Sequence, residues 1–312
     1  MEIRADIIQS HLRILPYIHN TPVFTSHIIN TISGAELYFK CENFQKMGAF
    51  KMRGATNAIL QLSSEQKSKG VVTHSSGNFA QALALAAKNL GIKAYIVMPN
   101  NAPDVKKNAV IGYGGLITEC DPTLEAREST AKKLEEEKGA TFVHPFNDFN
   151  VVLGNATAGK ELLEEYPDLD IIVVPVGGGG LVSGVALSAI AFGNNCKVIG
   201  AEPLNVDDAY RSMEANKIMY NKSTDTIADG LKTSLGDITF NIINNHVEKI
   251  IRVTEKEIVD AMHLIWERMK IIVEPSSAVA LAAVLKSKSA FSNKKVGLMM
   301  SGGNVDLSKL PF

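Results

Sequence analysis

The sequence predicts an α/β fold in which mainly parallel sheets are flanked by helices, organised as two domains. Three observations lead there. Short β-branched or apolar runs (GVVTH at 70–74, AYIVMP at 94–99, IIVVPV at 171–176, KVIGAEP at 197–203 and VGLMM at 296–300) alternate with longer segments of helical period. Runs such as IIVVPV are apolar on both alternating faces, as a strand must be when crossover helices cover it on both sides. The 312 residues also exceed what one core of ordinary size organises, so two domains are the default.

Taken in order, the opening MEIRADIIQSHLRILPYIHN mixes charge into every turn and does not read as a signal peptide. NFQKMGAFKMRGATNAI turns at Gly48 and starts a helical pattern at Lys51. Strand 70–74 leads through Ser75, Ser76, Gly77 and Asn78 into a helix over 80–91 that stops at Gly91. Strand 94–99 follows, and TLEARESTAKKLEEEKG at 123–139 interleaves charge with apolar positions, the pattern of a surface helix. Strand, helix, strand, helix, strand over 70–145 suffices for a small domain, leaving 1–69 and 146–312 to a larger one. There the strand at 171–176 runs into four glycines and a helix beginning near Leu181, strand 197–203 ends in acidic residues, and strand 296–300 ends at Ser301.

Composition narrows the function. With 46% hydrophobic and 21% charged residues the chain is a folded, soluble type. Lys plus Arg (32) balances Asp plus Glu (33), so no field exists to collect nucleic acid or anionic lipid. Cys41, Cys120 and Cys196 offer neither metal spacing nor a disulfide framework, which fits a reducing cytoplasm. No apolar run is long enough for a bilayer, and no internal repeat or low-complexity tract is present.

Four strand-end motifs carry candidate chemistry. Gly177, Gly178, Gly179 and Gly180 put bare backbone N–H groups at a helix N-terminus, a phosphate cradle, although a tight turn is the plainer alternative. No Gly-Lys-Ser/Thr follows, and Ser183 stands where a dinucleotide fingerprint needs its third glycine. Lys51, between Phe50 and Met52, is a candidate desolvated amine, although most lysines are solvated. The hydroxyls and N–H groups of Ser75 to Asn78 can hold a carboxylate, with an ordinary helix N-cap as the bland reading. Ser301, backed by Gly302 and Gly303, is a hydroxyl at a site-facing strand end. Together, a phosphate cradle, an imine-forming lysine, an oxygen-binding Asn and a strand-end hydroxyl are the groups that hold pyridoxal 5'-phosphate.

HNTPVFTS, KCENFQKMGAFKMRGA, THSSGNFAQA, VPVGGGGLVSG, AEPLNVDD, IADGLKTS, WERMKIIVEPSSAVALAAVL and SGGNVDL resemble, in this order along almost the whole chain, the serine racemase and serine/threonine dehydratase family. The resemblance implies the second fold type of pyridoxal-phosphate enzymes, the tryptophan synthase β-like architecture. It also implies that Lys51 forms the Schiff base, that Gly177 to Gly180 bind the phosphate, that Asn78 meets the ring oxygen and Ser301 the ring nitrogen, and that Phe50, Leu181 and Glu274 complete the cofactor site. The freed Lys51 amine would then remove the α-proton and the β-hydroxyl would leave with proton assistance from the phosphate region. The implied activity is an L-serine/L-threonine ammonia-lyase. Ser75, Ser76, Gly77, Asn78, Phe79 and Thr233 would line the substrate, and Ser76, where plain threonine dehydratases resemble SAGN, leaves serine racemisation open.

AEPLNVDD implies a magnesium or calcium site made by Glu202, Asp208 and the Val206 carbonyl, hard oxygen donors suited to such ions. Without the resemblance these acids read as a solvated strand end. Gln81, Tyr113, Lys270 and Asn304 fall where eukaryotic family members bind a regulatory nucleotide, ATP, between the subunits of a homodimer. Lys270 is otherwise a helix-end lysine that suits the dipole. Two departures bear on function. Phe79 stands where the family commonly has His, and GNAT at 154–157 replaces a GQGT-like stretch. Arg127 matches an arginine able to reach a distal carboxylate, which keeps 3-hydroxyaspartate in play, while a surface-helix arginine is the simpler reading. A ligand-binding regulator that kept the fold without catalysis is the alternative from another class. The intact Lys51, Asn78, glycine cradle and Ser301 argue against it.

Overall fold

Residues 2–312 are described by a computed structural model. The β-branched runs form strands β1 (Val23–Phe24), β2 (Glu36–Cys41), β3 (Val71–His74), β4 (Ala94–Pro99), β5 (Leu116–Cys120), β6 (Thr141–Phe142), β7 (Ile171–Pro175), β8 (Lys197–Pro203), β9 (Lys249–Val253) and β10 (Lys295–Met300). Between them run helices α1 (Glu2–Ile14), α2 (His27–Ser33), α3 (Lys51–Gln61), α4 (Ser64–Lys69), α5 (Asn78–Asn89), α6 (Asp104–Gly112), α7 (Leu124–Lys138), α8 (Phe149–Glu165), α9 (Gly180–Phe192), α10 (Asp208–Ala215), α11 (Asp237–His246), α12 (Glu255–Met269), α13 (Pro275–Lys286) and α14 (Lys288–Phe291). The strands sort into a six-stranded sheet, β1-β2-β10-β7-β8-β9, and a four-stranded sheet, β5-β4-β3-β6. Among the described strands only the β1–β2 pairing is antiparallel.

Every residue of β7 is buried, and its two faces enter different cores. Ile171 and Val173 pack with Ala278 to Val284 of α13, while Ile172 and Val174 pack with Leu181, Val182 and Val185 of α9. The run that reads as apolar on both faces is therefore a central strand between two helical layers. The smaller sheet repeats the plan. Val71 and Ile96 face α3 and α5, whereas Val72 and Val97 face Ala131 and Leu134, the two buried residues of the otherwise solvated α7.

The segment 70–145 is richer than its sequence pattern, with four strands and three helices among the described residues. The extra strand β5 is a sheet edge without a fully buried residue, and α6 buries only Val110, so neither shows a clear apolar period. Helix α5 begins at Asn78, two residues before its apolar run. No described helix is long and apolar enough to cross a membrane.

Helices α3, α8 and α9 touch through glycines. A Cβ on Gly154 would lie 2.5 Å from the Arg53 carbonyl oxygen, and one on Gly184 would lie 2.6 Å from the Ala156 nitrogen. A buried ion network locks α3 further. Arg53 donates to both carboxylate oxygens of Glu42 at 2.7 and 2.8 Å and to both of Glu161 at 2.7 Å. Lys40 donates to Glu161 at 2.7 Å and to the Thr21 carbonyl. Two cations and two carboxylates balance with their hydrogen bonds made, the condition under which buried charge is tolerated.

Candidate active site

Lys51 is the first residue of α3, and its backbone is aimed from behind by the end of β10. The Phe50 N–H donates to the Ser301 carbonyl at 3.0 Å, and the Gly303 N–H donates to the Gly48 carbonyl at 2.9 Å. Met47 and Gly48, with φ of 58° and 79°, make the turn that brings the chain there. Met47 in the left-handed region is strained for a residue with a Cβ, and its carbonyl accepts from Asn304 Nδ2 at 2.9 Å. The Lys51 amine donates to the Pro145 carbonyl at 2.9 Å. Burial draws it down to about 8, with the Glu274 carboxylate opposing that shift.

Asn78 opens α5 and presents its carboxamide to the same space. Its Nδ2 donates to both oxygens of Glu274 at 3.0 and 3.1 Å, and its Oδ1 accepts from Asn304 at 2.9 Å. Burial, helped by Asp229, raises Glu274 to about 8. Ser75, Ser76 and Gly77 are half-buried, and a Cβ on Gly77 would meet nothing within 4 Å, so this loop faces open space. The Ser301 hydroxyl lies 3.1 Å from that of Ser277.

The glycine run occupies the end of β7 and the start of α9. Gly179 has φ of 88°, and a Cβ on Gly178 would lie 2.4 Å from the Phe146 ring, so side chains are excluded at both positions. No acceptor among the described residues takes the N–H groups of Gly177, Gly178, Gly179 or Gly180, although all four residues are buried. Four bare amides at a helix N-terminus fit a phosphate, and Leu181 follows within the same buried turn. With Lys51, Asn78 and Ser301 nearby, the donor set suits pyridoxal phosphate.

The structure adds residues that the sequence pattern did not single out. His144, Pro145 and Phe146 follow β6, and Phe146 covers Gly178. The His144 ring packs on Phe146 at 4.5 Å, and its Nδ1 accepts from the Asn147 N–H at 2.8 Å. Burial, His74 and Lys51 push His144 down to about 4. A His-Pro pair just after a strand of the smaller sheet is the signal that could have marked this segment.

Other sites are assembled in part. Glu202 and Asp208 are fully buried, which corrects the reading of these acids as a solvated strand end. Glu202 accepts from the Ala209 and Tyr210 N–H groups, and Asp208 accepts from Leu235 N and Asn221 Nδ2. Burial and mutual repulsion raise Glu202 well above its ordinary value, and burial raises Asp208 to about 6. Neighbouring Asp207 is neutralised by Arg211 and Arg252. The surplus negative charge beside the buried Val206 therefore fits a hard cation completed by carbonyl and water oxygens, although no cluster of three His, Cys, Asp or Glu ligands exists among the described residues.

Lys270 and Asn304 line one cavity of about 400 Å³ with Gly48, Phe44 and Ile272, whereas Gln81, buried on α5, and Tyr113, capping α6, do not line it. Arg127 is half-buried on α7 and near enough to His74 to lower that imidazole's pKa, after burial has done most of it. Its Nε donates to the Thr123 carbonyl at 3.2 Å. Thr233 is exposed in the loop before α11. Asn155 of the GNAT stretch donates to the Gly180 carbonyl at 3.3 Å, tying α8 to the glycine turn.

A cradle of bare amides, a desolvated amine and a strand-end hydroxyl on this α/β scaffold define an enzyme that works through an aldehyde cofactor. The chain belongs to the pyridoxal-phosphate dependent enzyme family, whose profile matches residues 14–302. It is 53% identical to the serine racemase of Dictyostelium discoideum, covering 98% of this chain and 95% of that one, and the crystal structure of that protein superposes with a TM-score of 0.93 over 97% of this chain and 99% of the other. It is 50% identical to the beta-hydroxyaspartate dehydratase of Paracoccus denitrificans over 98% of both chains. The crystal structure of a T.th. threonine deaminase is 40% identical with a TM-score of 0.93, covering 98% of this chain and 99% of that one.

Proposed function

We propose that this enzyme is an ammonia-lyase that dehydrates L-serine or L-threonine to a keto acid and ammonia, with serine racemisation as a second outcome. The observation that carries the reading is the Lys51 amine, drawn down to about 8 and placed among Asn78, Ser301 and four unpaired glycine amides. Pyridoxal phosphate, when bound, supplies the electron sink that makes an amino acid's α-hydrogen acidic. Gly177 to Gly180 and Leu181 bind its phosphate, with Phe50, Asn78, Glu274 and Ser301 around the ring. Ser75, Ser76, Gly77 and Asn78 receive the substrate carboxylate, and Phe79 and Thr233 border the substrate. The neutral Lys51 amine would take the α-proton, and the β-hydroxyl would depart as water with a proton supplied from the phosphate-binding end of the site. Ser301 offers the ring a neutral hydroxyl, which cannot hold a cationic ring nitrogen by charge and so favours elimination. Ser76, on the substrate loop, is the donor that returns a proton from the opposite face in racemisation.

The test incubates the cofactor-loaded protein with L-serine and measures pyruvate and D-serine together. Pyruvate is expected, and absence of both products from L-serine and L-threonine would overturn the reading. A second reading, 3-hydroxyaspartate ammonia-lyase, is favoured by the half-buried Arg127 beside His74 at the head of the substrate loop, and by the activity named for the Paracoccus relative. Under it, Arg127→Ala loses dicarboxylate turnover by on the order of 10–100-fold, the cost of one charge-assisted contact, while serine turnover is retained. An equal loss on both substrates would refute it.

The same reading places the protein in the cytoplasm as a homodimer, with 70–145 as the small domain and 1–69 with 146–312 as the large one. It assigns magnesium or calcium to Glu202, Asp208 and the Val206 carbonyl, and ATP as an effector to Gln81, Tyr113, Lys270 and Asn304. Magnesium is expected to raise the melting temperature of the chelator-treated protein and to leave Asp208→Ala unchanged, as scanning calorimetry would read. An equal response in the variant would remove Asp208 from the site.

A further inference from the structure

The Lys51 amine lies over two phenyl rings, 4.9 Å from the centre of Phe50 and 5.6 Å from that of Phe79. Phe79 is 2% exposed and is fixed at the second position of α5 in the cluster that contains Met47, Ala49 and Met52. We propose that Phe79 is a positioning residue for Lys51: with Phe50 it forms an aromatic slot that keeps water off the amine and holds it on the Pro145 carbonyl.

Two effects compete in such a slot. A ring face attracts an ammonium group, which favours the charged form, whereas removal of water disfavours it. At 4.9 and 5.6 Å the attraction is near the end of its range, and desolvation is the larger influence on Lys51. The charged and titratable groups that face the amine do not reverse this. Glu274, at the start of α13, favours the ammonium but is itself raised to about 8 and carries only part of a charge near neutrality. His144, before α8, is pushed down to about 4 and is neutral there. The Pro145 carbonyl gives the amine one polar partner that a neutral amine can also use as donor.

This inference rests on Lys51 being the reactive amine, but its test does not need turnover. The full chain freed of cofactor is labelled with an amine-selective acylating reagent across a pH series, and Lys51 modification is read by peptide mass spectrometry. The wild-type rate is expected to rise with a midpoint near 8. Phe79→His, which brings a polar, hydratable ring to the slot, is expected to raise the midpoint by about one unit, a tenfold loss of neutral amine at pH 7. Phe79→Leu keeps the wall apolar and is expected to leave the midpoint in place or lower it. In the loaded enzyme, Phe79→His should move the rising limb of the kcat–pH profile in the same direction. Should Phe79→His fail to fold, Phe79→Gln serves as the polar variant. A polar variant with the wild-type midpoint, or a Leu variant that rises as far as the polar one, would overturn the proposal. Either result leaves the lyase reading intact, whereas turnover by Lys51→Ala would remove that reading and leave the slot standing.

Discussion

Lys51 shows how much one side chain depends on its surroundings. An amine with its midpoint at the ordinary 10.5 is neutral in roughly one molecule in 3,000 at pH 7, whereas at about 8 the share is about one in ten. Only the neutral amine can take a proton. Turnover should therefore climb as pH rises through about 8, and a kcat–pH profile with its rising limb beyond 10 would show that the amine is not desolvated in the working enzyme. Lys51→Ala is expected to lower kcat by at least about 10³-fold with the fold intact, measured by pyruvate release and circular dichroism. Sequence alone offered a lysine with apolar neighbours. It did not show that the rings are those of Phe50 and Phe79, or that the acceptor is Pro145, because that carbonyl is 94 residues away.

At the level of elements, the site is a meeting of helix N-termini with strand ends, and helix packing sets its spacing. Helix α9 carries the glycine turn and α3 carries Lys51, while α8 lies against both through Gly184 and Gly154. Gly184→Ala would put a Cβ 2.6 Å from a backbone nitrogen and 2.8 Å from the Val152 carbonyl oxygen. Backbone cannot yield as a side chain can, so roughly 1–3 kcal/mol of stability should be lost. Calorimetry should show a melting temperature lower by several degrees, with weaker cofactor retention because the amides of α9 shift. An unchanged melting temperature would mean that the helices separate freely. The central strands and the start of α9 were legible from pattern, as IIVVPV and its glycines leave few alternatives. The edge strand β5 and helix α6 were not, because an exposed edge and a helix with one buried residue bury too little to leave a period.

For the whole molecule, the Arg53–Glu42–Glu161–Lys40 network ties together the chain before β2, β2 itself, α3 and α8. Arg53, aided by Lys40, holds the Glu161 carboxyl below its ordinary 4.5 against the opposing effect of burial. A depressed carboxylate contributes its full stability above the unfolded value and loses it as pH falls below that toward the folded one. The melting temperature should therefore decline from about pH 4.5 downward. Glu161→Gln should cost about 3–5 kcal/mol at pH 7, since it leaves Arg53 and Lys40 short of a partner, and should flatten that decline. A variant with the wild-type acid profile would show that other carboxylates set it.

What the sequence determined by itself is local: the alternating α/β order, the central strand, the glycine turn, the helix starts at Lys51 and near Leu181, and the set of residue types a pyridoxal-phosphate enzyme needs. Short-range sterics and period encode these, and each is complete within about a dozen residues. Only the tertiary structure decided which distant groups meet. Asn304 bridges Met47 and Asn78 across more than 200 residues of chain, Glu202 and Asp208 are buried rather than solvated, and Phe146 lies on Gly178. Contacts of that kind arise from burial and charge pairing between elements, and neither leaves a mark on the spacing of residues along one element.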